Sequence, residues 1–98
     1  MTTYVFTEDA KAELRSAINY YLSEARPGTS QKFVSRVDEA LETILRDPMS
    51  CPVLHGDIHR QRIWRFPYDL LFWVEHDNVT IIAVAHQSRK PERWKRRR

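Results

Sequence analysis

Two helical stripes come first along the chain, and strand-like runs follow. Ala10, Leu14, Ala17, Ile18, Tyr21, Leu22 and Ala25 recur at three- and four-residue steps, which predicts a helix with one apolar face. Thr7 stands before it as an N-cap, with Glu8 and Asp9 at the positive end of the helix. Pro27-Gly28 ends it. A second helix starts near Thr29-Ser30 with the stripe Phe33, Val37, Ala40, Leu41, Ile44 and Leu45. Asp47-Pro48 closes it, because the residue before proline is pushed out of the α region. So short a link predicts an antiparallel helical hairpin, and its one-sided stripes need a sheet to cover.

Tyr4-Val5-Phe6 is a short β-prone stretch before the helices. Residues 48–59 read as a loop. Beyond it, Arg62, Trp64 and Phe66 alternate with Gln61, Ile63 and Arg65, as strand faces do. Pro67-Tyr68-Asp69 breaks the run, and Leu70 to Val74 is apolar and β-prone. His76-Asp77-Asn78 reads as a turn before the strand Val79 to Ala85. The expected order is β-α-α-β-β-β. It describes an α+β fold with the two-helix hairpin packed on one face of a small, mainly antiparallel sheet.

With 98 residues and 42% of them hydrophobic, the chain holds one domain, residues 1–98, with a modest core. Cys51 is the only cysteine and has no partner within the chain for a disulfide. The N-terminus meets Glu8 and Asp9 without a signal-peptide pattern, and no apolar run reaches the roughly 20 residues of a membrane span. The expectation is a cytoplasmic protein with no membrane partner.

Charge divides the chain. Residues 1–47 hold six Lys/Arg against eight Asp/Glu, and residues 48–98 hold ten against five. The basic character peaks in residues 89–98, a basic C-terminal tail in which Glu92 is the only acid. Such a block suits an anionic partner, or serves as a solvated end. Arg60, Arg62, Arg65, His86, Arg89, Arg93 and Trp94 are the candidate target-binding residues, because the meander brings their segments together and guanidinium forks suit phosphate and carboxylate. Arg60 and Arg62 share a strand face, with Arg65 opposite. Trp64 and Trp73 are expected in the core, as strand aromatics usually are, whereas Trp94 lies outside the strands.

His86 has two readings: an acid–base group among arginines, or a hydrogen-bonded residue that locks the strand end. The second is favoured, because no tyrosine follows Tyr68 to complete an acid–base set. His55, Asp57 and His59 lie in the expected loop with nothing to fix a ligand geometry, so no metal is expected. Two glycines, Gly28 and Gly56, make no phosphate loop, and no cofactor is expected.

Three segments together resemble the RelE/ParE superfamily of type II toxins, the ParE-like branch in particular. They are Leu41-Glu42-Thr43-Ile44-Leu45-Arg46-Asp47-Pro48, the run Ile63 to Val74, and Ile81-Ile82-Ala83-Val84-Ala85-His86-Gln87-Ser88-Arg89-Lys90-Pro91-Glu92-Arg93-Trp94. The resemblance spans residues 4–94. The third segment is the most specific: an aliphatic strand, then His, Arg, Pro and Trp. The resemblance implies a growth-inhibiting toxin of the plasmid-stabilisation kind, neutralised by direct binding of a cognate ParD-like antitoxin. It implies DNA gyrase as the target, with contact to operator DNA only through the antitoxin.

The alternative that the resemblance carries is a RelE-like, ribosome-dependent messenger RNA endonuclease. Onto its catalytic pattern only Arg65, His86 and Arg89 can be placed. The terminal tyrosine is absent, and no lysine occurs between Lys32 and Lys90. The gyrase reading, which needs no catalytic residue, is therefore preferred. A second alternative is a non-toxic binding module acting with its antitoxin on operator DNA. Tyr20, Tyr21 and Phe33 are the expected antitoxin-binding residues, as apolar surface on the outer side of the hairpin. Because the core elements end by Ala85, residues 89–98 are expected to serve activity more than folding, with Trp94 as the residue able to fold back on the sheet.

Overall fold

The computed structural model describes residues 2–24 and 26–97. Ala25, expected in the first stripe, and Arg98 of the basic end lie outside the described residues. Strand β1 (Thr3–Phe6) leads into helix α1 (Glu8–Leu22) and helix α2 (Thr29–Arg46). A single 3-10 turn (Pro48–Ser50) then precedes strands β2 (Val53–His55), β3 (Ile58–Ile63), β4 (Tyr68–Glu75) and β5 (Asn78–His86), and a short helix α3 (Glu92–Lys95) follows. The sheet order is β1-β5-β4-β3-β2, with β1 parallel to β5 and every other pair antiparallel. The expected α+β fold is the one observed.

Local chemistry sets the helix ends. Thr7 accepts a hydrogen bond from the Ala10 N–H at 3.2 Å, and Glu8 and Asp9 occupy the first turn. Gly28 enters α2 at φ 83°, a left-handed conformation that glycine adopts without steric cost. Helix α1 lies over β5 and helix α2 over β3. Ala10 and Ala17 of α1, and Phe33, Val37, Ala40, Leu41 and Ile44 of α2, are buried against Ile63, Leu70, Phe72, Val79, Ile81 and Val84 of the sheet. Leu22, placed in the first stripe, is exposed.

The expected loop at 48–59 contains strand β2 and the start of β3. Gly56 (φ 57°) and Asp57 turn the chain between His55 and Ile58. Three residues at a sheet edge show too little alternation to signal a strand. β3 stops at Ile63, short of the expected Phe66. Trp64 to Pro67 form the turn into β4, closed by the Phe66 N–H donating to the Ile63 carbonyl at 3.1 Å. Arg65 sits there at φ 69° and not on a strand.

The face of the sheet away from the hairpin is also partly covered. Ile58, Leu71, Ile82 and Ala83 form a second, smaller core with Trp94, which is 7% exposed. Trp73 packs at its margin, half-buried. This second cover explains why β4 and β5 read as almost unbroken apolar runs. A bulge opposite Leu71/Phe72 lets Ile81 face the hairpin while Ile82 and Ala83 face Trp94.

Contrary to expectation, the basic end is part of the folded domain. β1 pairs with β5 only as far as Ile81, which leaves the β5 edge open beyond it. Two charged side chains close that edge. Glu13 Oε1 accepts from the Val84 N–H at 3.0 Å, and Arg97 Nη1 donates to the Ile82 carbonyl at 2.9 Å. The same two residues join in a paired bond, Arg97 Nη1 to Oε1 at 2.9 Å and Nη2 to Oε2 at 3.0 Å. These hydrogen bonds to Glu13 raise the proton affinity of the Arg97 guanidinium. Removing one partner leaves the other charge part-buried and a strand group unsatisfied. Arg97→Ala should therefore cost about 2–4 kcal/mol in a urea unfolding titration. Deleting Lys95 to Arg98 should cost a similar amount. Glu13→Gln, which keeps an acceptor for Val84, should cost less than Glu13→Ala.

Candidate functional site

The strand register brings part of the expected basic set together. Arg62 stands opposite Asp69, which stands opposite Ala85, and Arg60, Leu71 and Ala83 are aligned in the same way. Directly paired residues project to one face, so Arg60 and Arg62 share a face as expected. That face holds a cleft of about 240 Å3, lined by Arg60, Arg62, Arg89 and Trp94 with His86 at its end. The His86 ring itself turns to the hairpin side, because His86 pairs with Tyr68 and Tyr68 with Ile63. Arg89 is positioned by the turn after β5, where its N–H donates to the His86 carbonyl at 3.0 Å. Trp94 closes one wall and is anchored from beneath by Leu71 and Ala83.

Two residues of the cleft were not anticipated. Asp69 is buried beneath the arginines. Its Oδ1 lies 3.9 Å from Arg62 Nε, too far for a hydrogen bond, and has no hydrogen-bond partner among the described residues. Gln87, with its amide turned so that the oxygen faces Arg62, accepts from Nε at 3.3 Å and Nη2 at 3.2 Å. Arg62 is thus held between a carboxylate and an amide. A hairpin register fixed on the turn at 64–67 would have paired Asp69 with Arg62, but the expected strand ran through that turn.

His86 is locked in place. The Ser88 N–H donates to His86 Nδ1 at 3.1 Å, the Ser88 hydroxyl lies 2.7 Å from the same nitrogen, and the Tyr68 ring meets the imidazole edge-on at 5.0 Å. An accepting Nδ1 leaves the ring proton on Nε2. These contacts hold the ring at the end of β5. The His55-Asp57-His59 group is not assembled as a ligand set. His59 is buried, donates from Nδ1 to the Cys51 carbonyl at 2.9 Å and stacks on Phe72, whereas the His55 ring faces Trp94. No cluster of three or more His, Cys, Asp or Glu side chains suited to a metal occurs among the described residues.

Two expected target-binding residues lie elsewhere. Arg65 is carried by its left-handed turn onto the Trp64 ring, 4.6 Å from the centroid, and lines a hollow with Lys32, Arg36 and Phe66. Trp64, expected in the core, is 55% exposed, because the turn lifts it off the strand face. Arg93 faces α1, with Nη2 4.0 Å from Glu13 Oε2, and lines a groove with Ala12, Ser16, Tyr20 and Arg89. Among the described residues, only Arg89 lines both this groove and the cleft.

The expected antitoxin-facing residues also divide. Tyr20 is exposed and Tyr21 half-buried, but Phe33 is fully buried and offers no surface. Its ring packs between Tyr21, Phe66 and Tyr68 because it sits on the stripe of α2 that faces the sheet. No helix among the described residues is long and apolar enough to cross a membrane.

Residues 4–91 match the model of a family described as the ParE toxin of the type II toxin-antitoxin system parDE. The chain belongs to the ParE toxin family. It is a type II toxin by that membership. The ParE-family fold is matched by a solved structure of the chromosomal ParDE system from P. aeruginosa, at 18% identity and a TM-score of 0.73, over 88% of this chain and 95% of that one. The YoeB dimer from Staphylococcus aureus matches at 16% identity and a TM-score of 0.57, over 85% and 93% of the two chains. A heterotetrameric YoeB-YefM toxin-antitoxin complex from the same organism matches at 16% and 0.55, over 86% and 94%. A comparison with curated proteins gives no match.

The aromatic cluster under the helical hairpin carries a pH signature. Burial raises the Tyr21 phenol to about 12, with the neighbouring Tyr68 the next cause. In the unfolded chain the same phenol ionises near 10. The folded state therefore holds this proton longer, and its contribution to stability is intact below pH 10 and lost as pH rises towards 12. Urea midpoints measured across that range should fall for the wild type, and fall less steeply for Tyr21→Phe.

Proposed function

We propose that this toxin inhibits DNA gyrase through non-covalent contacts of the cleft formed by Arg60, Arg62, Arg89 and Trp94, and that a ParD-like antitoxin neutralises it by direct binding. The observation that carries this reading is the separation of the nuclease-like set. RNA cleavage by Arg65, His86 and Arg89 needs all three at one phosphate, yet Arg65 lies over Trp64 and lines a different hollow from the other two. His86 accepts at Nδ1 from Ser88, in keeping with a fixed structural ring. A stalling inhibitor needs only surface, charge and shape, and the three guanidiniums in the cleft supply them. Membership of the ParE family supports the same reading.

Expression of the toxin without an antitoxin, with two readouts, tests the proposal. Growth arrest with gyrase–DNA adducts and DNA-damage signalling is the expected result. Arg62→Ala and Arg89→Ala should weaken the arrest by about tenfold or more in the inducer needed, whereas His86→Ala should retain it. Rapid codon-specific loss of messenger RNA that disappears in His86→Ala would establish the nuclease alternative instead. Unaffected growth would leave the non-toxic binding module.

A further inference from the structure

The turn between β3 and β4 builds a second basic surface outside the cleft. The Trp64 ring carries two guanidiniums, with the Cζ atoms of Arg36 and Arg65 each 4.6 Å from its centroid. Lys32 adds a third cation to the same hollow, and Phe66 forms its floor. Glu39, bound by Arg36 Nη1 at 2.8 and 3.2 Å, is the acid paired with this group. The surface is rigidly backed, since the Phe66 ring packs on Tyr21 and Phe33 at centroid distances of 5.0 and 5.1 Å. Arg65 holds its position at φ 69°, where a glycine would sit with less strain.

A guanidinium stacked on an indole keeps its N–H groups at the rim of the stack, oriented in plane and available to a carboxylate fork. The geometry points to an acidic protein segment as the occupant. It would lay carboxylates against Arg36 and Arg65 and an apolar side chain against the exposed rim of Trp64. Nucleic acid fits less well, because bases bind such surfaces by stacking on aromatic faces, and guanidiniums already lie over this indole. A second copy of the chain, meeting through the same patch, would set Lys32, Arg36 and Arg65 against their own equivalents.

We infer that the Trp64–Arg36–Arg65 patch is the docking surface for a carboxylate-bearing segment of the antitoxin. The patch lies apart from the cleft assigned to the target. Through Phe66 and Tyr21 it adjoins the exposed Tyr20, whose hollow continues to Pro67 and Arg89. One extended segment can therefore run from the helical hairpin across this end of the molecule. The inference rests on neutralisation by direct antitoxin binding, as proposed above.

The test titrates purified toxin with the small protein encoded beside it, using wild type, Trp64→Ala, Arg65→Gly and the double variant. Trp64 is exposed and φ 69° suits glycine, so both single variants should fold. Each should weaken binding by at least about tenfold, and the double variant should lose less than the product, because the two side chains act through one stack. Wild-type affinity retained within about twofold by both variants would overturn the inference and leave neutralisation standing. Failure of the wild type to bind would remove the neutralisation reading and the inference with it. Variants that keep antitoxin affinity but no longer arrest growth would assign the patch to the target and overturn it as stated.

Discussion

The paired bond between Glu13 and Arg97 is the interaction on which the open face of the sheet depends. It stands where β1 stops and the edge of β5 would otherwise be open. A short parallel edge strand leaves backbone groups that another strand would normally satisfy. Here a carboxylate takes the Val84 N–H and a guanidinium takes the Ile82 carbonyl, and each completes the other's hydrogen bonding. A part-buried ion pair repays its desolvation when its remaining donors and acceptors are filled in this way. The pair also fixes the C-terminal turn, and so sets Trp94 onto the sheet as one wall of the basic cleft.

Burial on both faces follows from the same arrangement. The helical hairpin covers one face of β4 and β5, and Trp94 covers a smaller area of the other. The bulge at Leu71/Phe72 shifts which residues of β5 face each cover, so that Ile81 and Ile82 are both fully buried on opposite sides. Strands held on two faces are stiff, and that stiffness serves the cleft. Arg60, Arg62 and Asp69 project from paired positions on β3 and β4, with Ala85 of β5 opposite Asp69, and no loop lies between them.

The charged groups of the cleft constrain one another. Arg62 is divided between the Asp69 carboxylate and the Gln87 amide, which orients its fork and moderates the positive field. His86 is tied to Ser88 and framed by Tyr68. These contacts hold the side chains in a fixed arrangement. The Trp64 patch is a second fixed arrangement on the hairpin side. Two basic surfaces on one small domain leave room for both of the contacts proposed above.

Much of the fold was legible because its signals are local. The helices are set by apolar residues three and four apart, by Thr7 and by Gly28, all within one or two turns of the positions they control. The runs Leu70 to Val74 and Val79 to Ala85 announced two adjoining strands, and the segments from Leu41 to Pro48 and from Ile81 to Trp94 carried the family. β2 was not legible, since three edge residues carry no period. The fate of Arg65 and Trp64 turned on a left-handed residue, which alternation alone does not reveal. Phe33 could be placed on its helix from sequence, but only the packing of the hairpin on the sheet sent it inwards and left Tyr20 outside. The basic end read as a tail because its anchor, Glu13, lies 84 residues away from Arg97. Periodicity reports on neighbours along the chain, whereas an ion pair across that separation exists only once β5 has brought α1 and the C-terminus to the same edge.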